Sequence, residues 1–157
     1  MHKKLIEMEE NMAEEKNSKS EYISNYEFEV QFGADIRISF FKVSNISSAR
    51  EFEVIADGGN NSRMCFAEKA KRKPDSLSLQ KGVMPKSDSE VLSWLTEGLK
   101  INEIMINVKK DGETKKIFFI EQGVITNITF SDLNALNAEI MIKTMELQHT
   151  GLEEASV

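Results

Sequence analysis

The chain has 157 residues, a length typical of one domain, and 40% of them are hydrophobic, which is enough for a buried core. Lysine and arginine number 20 against 26 aspartates and glutamates, and the resulting net charge of −6 argues against nucleic-acid binding as the main function. A single cysteine excludes an internal disulfide, and with only two histidines beside it the chain has few ligands for a zinc site. No apolar run approaches the roughly 18 residues of a membrane span.

Catalytic motifs are also missing from the sequence. We find no glycine-rich phosphate loop, no nucleophile elbow and no His-Asp-Ser set with recognisable spacing. The sequence therefore predicts neither an enzyme, nor a cofactor, nor a metal. The lone Cys65 is typical of a chain that folds in a reducing cytoplasm.

Residues 1–24 form a polar N-terminal extension. Within it Leu5, Met8 and Met12 are spaced as on one face of a short amphipathic helix. The composition leaves two interpretations open. The extension is either disordered in the free protein, or an arm that orders against a neighbouring subunit.

Apolar and polar residues alternate from Tyr26 to Phe32, which predicts a half-buried strand. The polar positions of this strand, spaced as on a solvated face, are Glu27, Glu29 and Gln31. In the next predicted strand the apolar parity reverses at Phe40–Phe41. Such a reversal indicates a β-bulge or a sharp bend of the kind that closes barrels.

A third predicted strand, with Phe52 and Val54, leads to a strong turn signal and a long basic segment that ends at Asp75. The turn, whose residues tolerate positive φ, is Asp57-Gly58-Gly59-Asn60-Asn61. The basic residues that follow it are Lys69, Lys71, Arg72 and Lys73. The segment is either a solvated loop or a surface for an acidic patch of a partner. A loop this long is uncommon in a compact domain unless it has a function.

A capping box at Ser87–Glu90 predicts the start of a helix. Its apolar side carries several leucines, and Trp94 beside them is expected in the core. One short helix cannot form a bundle, so we expect it to pack on the sheet.

The last third of the chain reads mostly as strands. Asp111-Gly112 is the preferred pair for a two-residue type I′ hairpin, and two further strands are predicted over Lys116–Gln122 and Val124–Phe130. Ala138–His149 fits a helical stripe and a strand face nearly equally well, so periodicity alone leaves both open.

Several of these stretches, in this order, resemble the inner tube proteins of contractile tails. These proteins build the tubes of contractile-tailed phages and extracellular contractile injection systems, and the type VI secretion tube protein shares their fold. The resemblance covers roughly Tyr26 to Leu152. The matching motifs are Val43-Ser44-Asn45-Ile46, Glu53-Val54-Ile55, Gly58-Gly59-Asn60-Asn61, Leu77–Gly82, Asp88 with Trp94-Leu95, and Glu146–Leu152.

The resemblance implies a mainly β (α+β) fold, a small β-barrel of two packed antiparallel sheets with one flanking helix. The tube domain would span residues 25–152, followed by a C-terminal tail at 153–157. Ile140–Gln148 would then be a strand. Six copies would join edge to edge into a ring, and rings would stack into a hollow tube.

Under the resemblance, the segment from Asp57 to Asp75 would reach a neighbouring subunit or ring. The candidate inter-subunit residues are Gly58, Gly59, Asn60, Asn61, Phe66, Lys69, Lys71, Arg72 and Lys73. The candidate face toward the lumen is Glu27, Glu29 and Gln31.

The implied function is that of a structural subunit of the inner tube, which conducts DNA or protein cargo without catalysis. The implied partners are further copies of the chain, the sheath, a baseplate hub or spike, a tail terminator and the cargo, with no membrane anchor and no specific nucleic-acid binding. Assembly would take place in the bacterial cytoplasm, and the product would be a phage tail or an extracellular particle. Two alternatives remain, a tube-initiating ring at the baseplate and a β-barrel that binds a small ligand.

Overall fold

The computed structural model of the protein describes residues 26–56, 64–71, 73–83, 93–136 and 139–157. These residues form a mainly β structure in which every strand pair is antiparallel, as expected. The strands are β1 (Glu27–Phe32), β2 (Ile36–Phe40), β3 (Lys42–Ser44), β4 (Phe52–Ala56), β5 (Met64–Glu68), β6 (Asp75–Gly82), β7 (Lys100–Lys110), β8 (Glu113–Phe130), β9 (Ile142–His149) and β10 (Leu152–Ala155).

One eight-stranded sheet contains most of these strands, in the order β2-β1-β7-β8-β9-β6-β3, with β10 added to β8. Its two end strands, β2 and β3, follow each other in the chain. At the junction the backbone N–H of Phe41 donates to the carbonyl of Gln80 on β6, at 3.1 Å. The predicted bend at Phe40–Phe41 is confirmed, because here the chain passes from one end of the sheet to the other and closes it into a barrel.

The core fills the concave side of this sheet. Its residues alternate with outward-facing polar ones, because successive side chains of a strand point to opposite faces. The side chains with the least exposure include Val30, Leu77, Leu79, Ile104, Ile106, Ile120, Ile125, Met145 and Leu147. Each such side chain contributes about 1.5–3 kcal/mol when fully removed from water. The second sheet, the β4–β5 hairpin, supplies no residue to this core.

The β7–β8 hairpin has the predicted turn. Asp111 and Gly112 both have positive φ, 54° and 80°, as a type I′ turn requires. The two strands predicted beyond this turn are in fact one strand, the 18-residue β8. The expected break at Gly123 is wrong, because this glycine lies inside the ladder, paired with β7 on one side and β9 on the other.

The ambiguous last element is strand β9, as the resemblance implied. The predicted helix falls largely outside the described residues, of which only Ser93 and Trp94 are helical there. Trp94 is 65% exposed, so its expected place in the core is wrong, and the adjacent Leu95 is the buried residue. The N-terminal extension also lies outside the described residues. The domain boundaries stay predictions, and β10 runs across the one at 152/153.

Candidate functional site: the exposed hairpin, the polar face and the free strand edges

The β4–β5 hairpin projects an apolar face into solvent. The expected long loop is wrong in part, since Met64–Glu68 is a strand paired with Phe52–Ala56. Phe66 lies directly opposite Val54, and these side chains are 76% and 54% exposed. The residues that share this face by register are Phe52, Val54, Ala56, Met64, Phe66 and, at its edge opposite Phe52, Glu68. Contiguous apolar surface of this kind typically marks an interaction site.

Ion pairs tie the base of this hairpin together. The Glu51 carboxylate accepts from Lys73 Nζ at 2.8 Å and from Lys69 Nζ at 3.4 Å, and Lys69 also donates its backbone N–H to the Glu51 carbonyl. The Lys73 hydrogen bond holds the pKa of Glu51 below its usual value and raises that of Lys73. Arg50 lies 3.9 Å from Glu68 across the same base. Exposed pairs of this kind each stabilise a fold by only about 0–1 kcal/mol.

Of the predicted inter-subunit residues, Phe66 lies on the hairpin, Lys69 and Lys73 lie at its base, and Lys71 between these two lysines is exposed. The two lysines at its base bind Glu51 of the same chain. Gly58, Gly59, Asn60, Asn61 and Arg72 lie outside the described residues. The role of all these residues between subunits stays a prediction.

The candidate lumen residues lie together on the outward face of β1. Glu27 is exposed, whereas Glu29 binds Lys109 Nζ of β7 at 3.0 Å and Gln31 donates its amide to the Gly33 carbonyl. The predicted alternation along this strand is confirmed, with Val30 fully buried on the opposite face. Register places a cation beside each end of this face.

Those cations are Arg37 of β2, opposite Gln31, and Lys109 of β7, opposite Glu27. The outward surface of β1, β2 and β7 is therefore polar with both signs of charge rather than uniformly acidic. A mixed polar surface is wet, and it offers no extended apolar area to which an unfolded chain would adhere.

Several stretches of strand have a paired neighbour on one side only, within the part of the chain that the structure describes, and two of them lie in β10 and at the end of β8. β10 pairs with β8 alone, and the end of β8, from Asn127 to Phe130, pairs with β9 alone. Their outer edges present backbone N–H and C=O groups that can pair with another chain. Glu153 and Glu154 on β10 are exposed charges of the type that discourages unspecific pairing.

His149 is a buried residue that sequence reasoning quoted only as part of a motif. It lies at the end of β9, 2% exposed, opposite Gly123 of β8 and Asp75 of β6. Burial lowers its pKa, and the nearby Asp75 charge opposes this effect more weakly.

The described residues contain no cluster of three or more His, Cys, Asp or Glu side chains that could hold a metal ion. A search of the same residues also finds no helix with both the length and the apolarity needed to cross a membrane.

A family model described as T4-like virus tail tube protein gp19 matches residues 24–153. The chain belongs to this family. The matched range includes all ten strands apart from the last two residues of β10. This confirms the resemblance that the sequence motifs carry, and it makes the chain a member of a family of structural tube proteins. No curated relative matches the chain.

Solved structures agree on the fold. The sheath–tube complex of the extracellular contractile injection system PVC, in its extended state, contains a chain similar to this tail tube protein at TM-score 0.72 and 20% identity, over 91% of this chain and 97% of that one. The tube-terminating cap of the anti-feeding prophage matches at TM-score 0.69 and 19% identity, over 88% and 93%. A type six secretion system protein matches at TM-score 0.50 and 10% identity, over 82% of each chain.

Proposed function

We propose that this tail tube protein forms homohexameric rings that stack into a hollow inner tube, a conduit for DNA or protein cargo. The observation that carries the proposal is the exposed apolar face of the β4–β5 hairpin, present on a chain whose family is that of tail tubes. Such a face costs solubility in a monomer, and burial against a neighbouring copy removes that cost.

The one-sided edges of β10 and of the end of β8 support the proposed ring. Edge strands are a hazard for a soluble protein unless something covers them. A closed ring in which each subunit covers an edge of the next satisfies both edges at once, because a head-to-tail contact closes on itself when the rotation fits.

The hairpin serves the contact with another subunit, in the same ring or the next. Phe66 and Val54 would be buried there, while the ion pairs of Glu51 with Lys69 and Lys73 hold the hairpin at a fixed angle. We assign the same contact to Gly58, Gly59, Asn60, Asn61, Lys71 and Arg72 on the basis of the sequence motifs.

The face with Glu27, Glu29 and Gln31 would line the lumen. Its balance of charges, with Lys109 and Arg37 beside the glutamates, suits a channel that cargo must slide through without adhering. The function requires no catalysis by the chain, and no cofactor.

We infer the partners from the machines to which the family and the similar structures belong. They are a surrounding sheath, a baseplate hub or spike, a tube terminator and cargo in the lumen. Assembly would occur in the bacterial cytoplasm, before the tube becomes part of a phage tail or an extracellular injection particle.

Light-scattering mass followed by negative-stain imaging of the same peak tests the proposal. A hexamer has a mass of 6 × 17.8 kDa = 106.8 kDa, and we expect hollow rings or stacked tubes. Rings that never stack would instead favour the tube-initiating ring at the baseplate. A monomer that also fails to grow on a baseplate or an existing tube would refute the tube function.

A pair of variants isolates the hairpin. Phe66→Asp places a charge on the apolar face, and Cys65→Asp places the same charge on the opposite face of the same strand, where the side chain is also exposed. We expect Phe66→Asp to abolish the assemblies and Cys65→Asp to retain them. Equal loss in both variants would contradict the assignment of this face.

A further inference from the structure

An apolar groove of about 480 Å³ opens where the start of β1, the β2–β3 junction and the end of β6 meet. Its apolar lining residues include Tyr26, Phe28, Phe40, Phe41, Val83 and Ile140. Three of them remain accessible in the subunit, with 47% of Tyr26, 55% of Phe41 and 75% of Ile140 exposed. None of the residues that line this groove belongs to the β4–β5 hairpin.

The N-terminal extension begins at this groove. Tyr26 is the first described residue, lines the groove, and packs edge-on against the Phe28 ring with 5.1 Å between the ring centroids. Residues 1–25 therefore join the described part of the chain at a residue that lines the groove. The family model starts at residue 24, so nearly all of this segment is an addition to the family domain.

The extension has an apolar stripe that suits the groove. Leu5, Met8 and Met12 share one side if residues 5–12 are helical, and methionine in particular adapts to irregular apolar surfaces.

The charges on the two sides are also complementary. Residues 5–15 contain five glutamates and no lysine or arginine. The groove wall carries Lys81, whose register partner on β9 is Lys143. Lys81 Nζ donates to the Ser39 carbonyl, and an acidic segment laid over the groove would add an opposite charge beside this lysine. Glu27 is the acidic residue of the wall.

We propose that the N-terminal extension of each subunit covers this groove on its own subunit, with Leu5, Met8 and Met12 against Phe41 and Ile140. The connecting residues 13–25 span up to about 45 Å when extended, so they can return to a groove that begins at Tyr26. A short tether of this kind raises the local concentration of the segment to the millimolar range, which favours the subunit's own groove over a neighbour's. The extension thereby keeps an adhesive aromatic surface away from other chains, a role independent of tube assembly.

Disulfide trapping in the full-length chain tests this docking. In a Cys65→Ser background, Met8→Cys is combined with Ile140→Cys, both at positions where the side chain is not needed for the barrel core. A disulfide forms only when the two Cα atoms come within about 4.4–6.8 Å. We expect efficient oxidation to a species of monomer mass, resistant to a maleimide label until it is reduced.

The matched control replaces Met8→Cys by Glu10→Cys, two positions along and on the opposite side of the helix. We expect its cross-linking yield to be roughly tenfold lower, because tethering alone does not hold that side against the groove. Equal yields from the two pairs, or no cross-link in either, would overturn the docking. A cross-linked dimer would overturn the assignment to the subunit's own groove, whether or not rings or tubes form in the same sample.

Discussion

Replacing Gly123 by alanine gives the sharpest test of how the barrel is packed. A Cβ at this position would lie 2.8 Å from Ile104 Cδ1, 3.5 Å from Leu147 Cδ2 and 3.6 Å from the Gln148 carbonyl. Ile104 and Leu147 are both fully buried, so neither side chain can turn away into solvent. The first contact is shorter than real Cβ atoms show, and the core must shift to accept it.

The magnitude follows from two opposing effects. Overpacking of a closed core costs about 1–3 kcal/mol. The gain from restricting the unfolded chain, when glycine becomes alanine, is about 0.4–1 kcal/mol. We therefore expect the free energy of unfolding to fall by about 1–2 kcal/mol, measured from the urea midpoint by circular dichroism, with Tm lower by about 2–8 °C.

Two further variants make this prediction refutable. Gly151→Ala meets no atom within 4 Å of its Cβ, so it should be neutral or slightly stabilising. Ile104→Val removes the clashing Cδ1, so its cost should shrink in the Gly123→Ala background. If Gly123→Ala proved as stable as the parent, or the two changes were strictly additive, the close approach would not be the reason for glycine here.

Three other predictions concern local features. Gly112→Ala, at φ 80°, should cost about 1 kcal/mol in a urea titration because L-residues rarely adopt that conformation, and an unchanged midpoint would refute the type I′ turn. Burial holds the pKa of His149 below its ordinary value of 6.5, so below that pH the unfolded chain binds more protons than the folded one. The free energy of unfolding should therefore be steady above pH 6.5 and fall as the pH drops toward the pKa of His149 in the folded protein. His149→Gln should remove this part of the pH dependence. Glu29→Gln and Lys109→Met, which break a half-buried pair at 3.0 Å, should each destabilise the fold and be less than additive together; strict additivity in the double-mutant cycle would show that the pair contributes nothing.

The features that sequence predicted correctly are those with a local cause. The parity reversal at Phe40–Phe41 and the Asp111-Gly112 turn are encoded by a few adjacent residues, and both are present. Periodicity did not identify strand β9, because its apolar residues fit both a helix and a strand. The resemblance to the tube family predicted a strand there, which is correct. The sequence named candidate surfaces by segment, and their role stays a prediction; which of their side chains share a face follows only from the strand register.

The features that sequence missed depend on contacts between distant segments. Strand β5 was hidden because nearly all its side chains are exposed, so no buried alternation marks it. Gly123 looked like a break, although it serves a close approach of Ile104. Trp94 looked like core because size and apolarity favour burial, but burial is decided by what lies opposite, and Leu95 takes the inner position.

The closure of the barrel by consecutive end strands has a kinetic consequence. β1 pairs with β7, so Phe28 lies opposite Val108, which is 80 positions away in sequence. β6 likewise pairs with a strand far along the chain, β9. Among the described strands, only the pairs β1–β2, β4–β5, β7–β8 and β8–β9 join strands that are consecutive in sequence. The other pairs close long loops, and the chain loses that loop-closure entropy before the strand contacts stabilise it. Chains with such distant pairing fold in milliseconds to seconds. A newly made chain therefore passes through a period in which strand edges are exposed because the barrel has not yet closed, and β1 must reach β7 before that period ends.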